Sequence, residues 1–350
     1  MKLILIDGSS LLNTYFWATV PREYLMAKTP EERRYYTKRI MQTSEGIYTN
    51  GVYAMTKSLL KLIEKQQPTH IAVAWDITRN TFRKKLYEGY KAQRKETLPE
   101  LKSQFILMQD LLKAAGIPQF MSTEYEADDY LGTLAKRFEN QLPVFILTKD
   151  QDALQLVSDR TRLWLISKHE TDWRKEYGIG DSTPDGAFEF TPLLVKEIYG
   201  LFPSQIIDQK ALQGDSSDNI PGVHGVGEKA TVPLLQEYGT IESVYESLED
   251  EITFKATCKS LGIRTPLKAL KKGKESAFLS KQLATIKTDI PDCRDLGLME
   301  VKLNIREDKL QEYYRKLEFR SLVLKQKMQE SEYSNTTSDL VPKQVQGSLF

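Results

Sequence analysis

The sequence has only two cysteines, Cys258 and Cys293, among its 350 residues. Two cysteines are too few for a disulfide framework, and they lack the spacing of a zinc site, so we expect free thiols. Long hydrophobic runs are also missing. An acid, Asp7, follows only four apolar residues at the amino terminus, which is too early for a signal peptide, and no run of about 18 apolar residues occurs later. The sequence therefore predicts no membrane segment and a cytoplasmic location.

A large excess of one charge is absent as well, because 49 basic residues are balanced by 48 acidic ones. Composition alone therefore does not identify the partner, and the position of each charge along the chain has to be considered. Hydrophobic residues make up 40% of the chain, as in ordinary globular proteins. At about 150 residues per domain, the length favours two domains. Residues 329–350 are mostly polar, and we expect a flexible tail there.

Three short apolar runs, residues 3–6, 71–75 and 144–147, are separated by long segments of helical period. This pattern predicts an α/β fold with a mostly parallel central sheet flanked by helices. Thr29 and Pro30 predict the start of one helix, and Thr191 and Pro192 predict another that ends at Gly200.

The character of the chain changes after residue 190. An apolar helix is followed by a glycine-rich stretch over 222–227 and by a second helix over 228–238. We therefore expect an α/β domain over 1–190 and a helical domain over 191–328, in which helices over 203–240 flank the glycine-rich stretch.

Acidic side chains follow each of the predicted strands. Asp7 follows the first, Asp76 the second, and Asp150 and Asp152 the third. The carboxyl ends of parallel strands meet at one edge of a sheet, where open α/β folds bind ligands. Two further acidic groups complete the set: Glu126, Asp128 and Asp129 at a predicted helix start, and Asp215 and Asp218 before the glycine-rich stretch.

Each of these acids, taken singly, is equally compatible with a turn or a helix cap. Taken together they need neutralising, because two carboxylates about 4 Å apart repel by roughly 4 kcal/mol at an effective dielectric of about 20. The donors are all oxygens, which suits Mg²⁺ or Mn²⁺ rather than zinc. Two such ions can promote hydrolysis of a phosphodiester.

Six motifs occur in the order of one known family. They span residues 5–10, 74–76, 125–129, 148–152, 214–223 and 279–286. The chain resembles the 5′ nuclease, or flap endonuclease, family, and in particular stand-alone homologues of the 5′-to-3′ exonuclease domain of bacterial DNA polymerase I. The resemblance implies a PIN-like 5′ nuclease fold with a helical arch over 77–105 and a helix-hairpin-helix subdomain. Segments 22–43 and 168–189 are longer than the family pattern predicts.

The resemblance also assigns metal ligands. Asp7, Asp76, Glu126 and Asp128 would hold a first ion. Asp129, Asp150, Asp152, Asp215 and Asp218 would hold a second, partly through water. Two or more Mg²⁺ or Mn²⁺ ions per site are implied.

The segment after Asp76 is basic and aromatic. Eight basic residues and three acids lie between Arg79 and Lys102, a pattern that also suits a solvated helix face. The resemblance makes this segment the arch, with Arg79, Arg83 and Tyr90 contacting DNA. Lys91 and Arg94 would act on the scissile phosphate as catalytic groups.

The glycine-rich stretch resembles the hairpin by which this family binds duplex DNA. Gly222, Gly225 and Gly227 would let the backbone approach a phosphate, and Lys229 would add a cation. The resemblance further implies a K⁺ ion at this hairpin.

The function implied is that of a monomeric, nucleoid-associated 5′-to-3′ exonuclease and flap endonuclease that acts on branched or 5′-ended DNA in replication and repair. Two alternatives stay open. The retention of Asp150 and Asp152 argues against a catalytically idle module that binds branched DNA, and the helix-hairpin-helix argues against a single-strand ribonuclease.

The last five residues resemble the short peptide by which bacterial replication proteins bind the sliding clamp. Gln346 would be its polar anchor, and Leu349 and Phe350 would fill an apolar pocket. A hydrophobic chain end without a partner is the alternative.

Overall fold

The computed structural model describes residues 1–178 and 182–323. In that part of the chain the strands form one six-stranded sheet in the order β3-β2-β1-β4-β5-β6. All neighbours pair in parallel except β6, which is antiparallel to β5. The strands are β1 Leu3–Asp7, β2 His70–Ala74, β3 Gln119–Phe120, β4 Val144–Thr148, β5 Thr161–Ile166 and β6 Ala187–Phe190. The predicted α/β class with a mostly parallel sheet is confirmed.

Helices occupy most of the rest of the described residues. They are α1 Gly8–Thr19, α2 Arg22–Met26, α3 Pro30–Thr37, α4 Asn50–Gln66, α5 Phe82–Leu86, α6 Pro99–Ala115, α7 Ala127–Phe138, α8 Glu170–Tyr177, α9 Pro192–Tyr199, α10 Ile206–Gln213, α11 Glu228–Tyr238, α12 Ile241–Ser247, α13 Glu251–Ser260, α14 Leu267–Lys272, α15 Lys274–Ala284 and α16 Glu307–Lys316. Short 3₁₀ helices cover Gln151–Leu156, Pro203–Gln205, Pro291–Cys293 and Leu298–Val301. Among residues 1–178 and 182–323, no helix combines the length and hydrophobicity that crossing a bilayer requires.

Local capping explains the predicted helix boundaries. Thr29 and Glu32 form a reciprocal capping box at the start of α3. The Thr191 hydroxyl accepts a hydrogen bond from the Leu194 amide at 3.3 Å and begins α9. Gly200 ends α9 with φ of 73°, a left-handed conformation that glycine adopts without a steric penalty. Both predicted helix starts are confirmed.

The two longer segments have distinct structures. Residues 22–43 contain α2 and α3. Residues 168–189 contain α8 and most of β6, the antiparallel edge strand that sequence analysis did not predict. Phe188 and Phe190 on β6 are fully buried and pack against the Trp173 ring at 5.4 Å between centroids. This segment therefore completes the sheet.

The core lies on both faces of the sheet, as the alternation of side chains along β1 requires. Ile4 and Ile6 pack against α1, α4 and α6, and the same cluster includes Leu310 and Tyr314 of α16. Leu3 on the other face belongs to a cluster that continues through α7 into the helical region. The predicted domain boundary near residue 190 is therefore bridged by shared apolar packing.

The predicted tail over 329–350, with Gln346, Leu349 and Phe350, lies outside the described residues.

Candidate metal centre and nucleic-acid interface

Two acids mark the carboxyl edge of the central strands. Asp7 ends β1 and caps α1 by accepting a hydrogen bond from the Ser10 amide at 2.8 Å. Its other carboxylate oxygen accepts from the Thr148 hydroxyl at 2.7 Å, at the end of β4. Asp76 follows β2 and accepts from the Ala127 amide at 2.9 Å, at the start of α7. The sheet topology thus brings the ends of β1, β2 and β4 together with the amino terminus of α7.

The carboxylates at this edge oppose one another's ionisation. Burial raises the pKa of Asp7 to about 7, and the charge of Asp76 adds to the effect. Burial and the charges of Asp150 and Asp7 raise the pKa of Asp128 well above its usual value. The Oδ1 atom of Asp128 is buried and has no hydrogen-bond partner. These acids therefore lie close enough to repel one another, and hydrogen bonds within the protein do not fully offset that repulsion.

A second group of carboxylates surrounds Lys210. The Lys210 ammonium lies 2.5 Å from Asp215 Oδ2 and also contacts Asp152. Burial opposes ionisation of Asp215, but the hydrogen bond and charge of Lys210 lower its pKa to about 2. Burial and the charge of Asp150 raise the pKa of Asp152 to about 7. These residues line an open cleft of about 460 Å³.

Lys210 was not among the predicted site residues. It lies on α10 five positions before Asp215, and nothing in that spacing indicates its role. The role becomes visible only when α10 packs beside the 3₁₀ helix Gln151–Leu156, which brings Asp152 to the same ammonium group.

Lys91 and Arg94, predicted to act on the scissile phosphate, contact carboxylates of the site in this structure. The Lys91 ammonium lies 2.8 Å from Glu126 Oε2 and 3.6 Å from Asp218 Oδ2, and Arg94 contacts Asp218 Oδ1. Burial opposes the charge on Lys91, but Glu126 and its other anionic neighbours raise the pKa of this ammonium group well above its usual value. Lys91 therefore stays charged inside the site.

The arch segment differs from its prediction. Between residues 77 and 98 only α5 is helical, and the remainder consists of turns and extended backbone. These turns contact the loop that carries Asp218: the Lys91 amide donates to the Asp218 carbonyl at 2.9 Å, and the Gln93 amide group donates to the Ser216 carbonyl at 2.7 Å. The segment thus packs down on the carboxylates.

Burial disagrees with the predicted roles of three residues. Arg83, assigned to DNA, is 2% exposed, and its guanidinium donates two hydrogen bonds of 2.7 Å to Asp129. Asp129, assigned to the second ion, is fully buried in this pair. Tyr90, assigned as an aromatic DNA contact, is 4% exposed, and its hydroxyl lies 3.1 Å from Glu126 Oε2. Their side chains are occupied inside the protein.

Arg79 is exposed, as its assignment to DNA requires. One of its guanidinium nitrogens donates to the Arg94 carbonyl at 2.8 Å, which braces the turn that carries Arg94.

The glycines of the hairpin divide into two kinds. Gly222 is buried, its amide donates to the Ser280 hydroxyl at 2.9 Å, and a Cβ atom there would lie 2.2 Å from the Gly214 nitrogen. The Gly222 amide is therefore engaged inside the protein, and its contact with DNA stays a prediction. Gly225 and Gly227 are exposed, and nothing lies within 4 Å of a Cβ built on either. Lys229, in the first turn of α11, is also exposed.

The donor set fits divalent cations that prefer oxygen. The unpartnered Oδ1 of Asp128 and the raised pKa of Asp7 are what a removed positive charge would leave behind. In the described residues, however, no group of three His, Cys, Asp or Glu side chains is already arranged to hold an ion. Because Lys91, Arg94 and Lys210 contact several of the acids, loading requires these contacts to rearrange.

A pH prediction follows for the metal-free protein. A carboxyl group whose pKa is raised by folding binds more protons in the folded state, so its contribution to stability is lost as the pH rises from about 4 to about 7. Burial raises the pKa of both Asp7 and Asp152 to about 7, so we expect the free energy of unfolding in chelator to decrease between pH 5 and 8. Asp128→Asn should raise the unfolding temperature at pH 8, because it removes one of the repelling charges.

Calorimetry in chelator at pH 5 and pH 8 measures both effects. Asp159→Asn, at an exposed acid, is the matched control and should change little. A wild-type unfolding temperature that increases over this range, with no gain from Asp128→Asn, would contradict the crowding.

Comparison with known proteins gives a consistent assignment. The family model "5'-3' exonuclease, N-terminal resolvase-like domain" matches residues 2–179, and "5'-3' exonuclease, C-terminal SAM fold" matches residues 201–311. DNA polymerase I of Bacillus caldotenax is 37% identical over 333 residues, which cover 95% of this chain and 33% of that protein. DNA polymerase I of Bacillus subtilis is 38% identical over 291 residues, covering 83% and 28%. The chain thus spans about a third of the length of these relatives.

Solved structures show the same fold. T5 5′-exonuclease with bound divalent metal ions (zinc) matches 91% of this chain and 98% of that chain, with 20% identity and a TM-score of 0.58. A T5 flap endonuclease in a pseudo-enzyme-product complex with DNA and metal ions matches the same shares, with 20% identity and a TM-score of 0.56.

Proposed function

Because the chain belongs to the 5′-3′ exonuclease family, we propose that it is a structure-specific 5′ nuclease that hydrolyses DNA phosphodiesters at 5′ ends and 5′ flaps in replication and repair. One observation carries the proposal. The acids at the sheet edge meet Lys91 and Arg94 from the arch segment on one side and the loop of Asp215 and Asp218 before the hairpin on the other. Anion-binding and cation-binding groups are therefore interleaved at this edge of the sheet, as hydrolysis of a phosphate ester requires.

Divalent cations would be held by eight of the nine predicted acids. Asp7, Asp76, Glu126 and Asp128 form the set nearest the ends of β1 and β2, and Asp150, Asp152, Asp215 and Asp218 form the other. Two bound Mg²⁺ or Mn²⁺ ions would activate water and stabilise the leaving oxygen.

The residues of the chain itself hold the substrate. Lys91 and Arg94 would transfer from carboxylates to the scissile phosphate, which offers a comparable anionic partner. Gly225, Gly227 and Lys229 would bind a duplex phosphate at the start of α11, where amide groups and the helix dipole favour an anion. A K⁺ ion at the hairpin carbonyls belongs to the same proposal.

A labelled 5′-flap DNA tests this function. With Mg²⁺ the protein should release the flap, leaving a 5′ phosphate on the duplex, and chelator should stop the reaction. Binding without cleavage would favour the idle module that binds branched DNA. Faster cleavage of single-stranded RNA than of the flap would favour the ribonuclease. We expect the protein to elute as a monomer in size-exclusion chromatography.

We also propose that the last five residues bind a sliding clamp through Gln346, Leu349 and Phe350, on the strength of the sequence motif. Deleting residues 346–350 should abolish binding to purified clamp in calorimetry and leave cleavage of free flaps unchanged. The double variant Leu349→Ala and Phe350→Ala should do the same, because it removes the apolar anchors. Equal clamp affinity for the full-length and truncated proteins would refute the motif.

A further inference from the structure

We infer that Arg83 and Asp129 are a positioning pair for the proposed nuclease reaction, rather than a DNA contact and a metal ligand. Their ion pair joins the arch segment, the helix that carries Glu126 and Asp128, and the end of α15 in the helical region. The inference rests on the proposed function and deepens it, because it says what keeps the three parts of the site in register.

The hydrogen-bonding capacity of Asp129 is used up inside the protein. Its Oδ1 accepts from Arg83 Nη2 at 2.7 Å and from the Lys287 amide at 2.8 Å. Its Oδ2 accepts from Arg83 Nη1 at 2.7 Å and from the Glu126 amide at 3.0 Å. A carboxylate offers about four lone-pair sites, so none remains for a cation or a water. Asp128, the next residue, has by contrast a buried oxygen without a hydrogen-bond partner.

Four of the five N–H donors of Arg83 are likewise hydrogen-bonded within the protein. Besides its two bonds to Asp129, Nε donates to the Leu283 carbonyl at 2.9 Å and Nη2 to the Thr285 carbonyl at 2.8 Å. Its guanidinium carbon lies 4.6 Å from the centre of the Phe82 ring. A phosphate could reach this guanidinium only if a side chain that is 3% exposed left these partners. The planar, bidentate geometry is one that lysine cannot reproduce.

The pair connects elements that are far apart in sequence. Arg83 lies on α5, eight residues before Lys91, and Asp129 lies in the first turn of α7. The carbonyls and the amide that complete the network belong to residues 283–287, at the end of α15.

The helix α15 also holds the hairpin. Ser280 accepts from the Gly222 amide at 2.9 Å, and Ser276 donates to the Gly222 carbonyl at 2.6 Å. Hydrogen bonds and a buried ion pair therefore link the hairpin, through α15, to the carboxylates and to the base of the arch segment. A buried ion pair adds little stability relative to apolar packing, and the role inferred for this one is to specify geometry.

This geometry sets the distance between the bound duplex and the cleaved bond. If the pair is broken, Lys91 and Glu126 lose their common anchor, and a misplacement of about 1 Å can slow a reaction by about 100-fold. We expect Arg83→Met and Asp129→Asn each to lower the single-turnover rate on a flap by about 100-fold, with affinity for the flap unchanged within about threefold. The products should also spread over neighbouring positions, where the wild-type protein cuts at one.

A double-mutant cycle separates the pair from two independent residues. If Arg83 and Asp129 act only through each other, the combined variant Arg83→Met with Asp129→Asn should lose about as much rate as either single variant. A DNA contact and a metal ligand would instead act separately, and their losses would multiply. Multiplied losses would overturn the inference.

Mg²⁺ binding can be measured independently of activity, through its effect on the unfolding temperature. Mg²⁺ should raise the unfolding temperature of Asp129→Asn with the same midpoint as for the wild-type protein, and Asp150→Asn should lose most of that rise. If Asp129→Asn loses the Mg²⁺-dependent rise equally, Asp129 is a ligand and the inference fails.

Met108→Ala, in the core cluster formed by β1, α4 and α6, is the control for lost stability and should cut at the wild-type position. A control that scatters its products like the pair variants would reduce the pair to a general stabilising role. If the wild-type protein does not cleave the flap, the proposed function is refuted. If the wild-type protein cleaves and the pair variants behave as independent residues, only the inference about the pair is refuted.

Discussion

Asp150→Ala and Asp218→Ala should each reduce flap cleavage in Mg²⁺ by at least about 10³-fold, because loss of a cation ligand removes several kcal/mol of transition-state stabilisation. The two residues reach the site from different elements. Asp150 follows β4, and Asp218 lies in the loop before the hairpin, where Arg94 and Lys91 contact it. Losses at both positions would therefore show that acids from these two elements act as one site.

Binding should survive these substitutions, since it depends on basic groups elsewhere. Fluorescence anisotropy with labelled flap DNA in Ca²⁺ measures affinity, and single-turnover kinetics in Mg²⁺ measure chemistry. Asp159→Ala is the matched control: it precedes β5, which runs parallel to β4, so it lies at the opposite edge of the sheet. Near-normal turnover in both cleft variants would defeat the proposed use of the acids.

Lys91→Ala should slow single-turnover cleavage by about 10² to 10³-fold, as removal of one positioned electrostatic donor does in other enzymes. The ammonium group is the one cation in the described residues that lies within 4 Å of both Glu126 and Asp218. Because many other cations share ground-state binding, the affinity for DNA should change by only about threefold.

Lys229→Ala is the informative contrast. This exposed lysine at the hairpin should affect duplex affinity and reduce the salt dependence of binding, with little effect on the rate of the bound complex. Affinity titrations at several salt concentrations and single-turnover rates at saturating protein distinguish the two variants. If Lys91→Ala loses affinity and rate by the same factor, Lys91 is an ordinary phosphate contact.

The sheet edge and its acids could be predicted from sequence because their signals are local. An apolar run followed by an acid marks a strand end, and parallel topology brings such ends together, as Asp7, Asp76 and Asp150 show. The amino-terminal caps of α3 and α9 could also be predicted, because the Thr29 and Thr191 side chains accept hydrogen bonds from amides within one helical turn.

The partners of the charged residues could not be predicted, because they depend on packing between distant segments. Arg83 resembles the other basic residues of its segment, yet its guanidinium is paired with Asp129, a fully buried acid 46 residues away. Lys210 was missed, and the buried hydrogen bond of Tyr90 was not predicted, for the same reason: their partners come from other elements. Strand β6 was missed because its four residues include an acid, Glu189, so it lacks the continuous apolar run that marked β1 and β4.

The return of α16 to the first core has a consequence for synthesis on the ribosome. Leu310, Tyr314 and Phe319 are buried against residues of α4 and α6, and the Ser44 amide donates to Glu318 across 274 positions of sequence. Between the emergence of Ala115 and that of Leu310 the ribosome adds about 200 residues, which takes roughly 10 to 40 s. Throughout that interval the apolar residues of α4 and α6 that α16 covers lack their final partner. The amino-terminal half therefore exposes hydrophobic surface until α16 is synthesised, and the contacts that bury this surface have a high contact order.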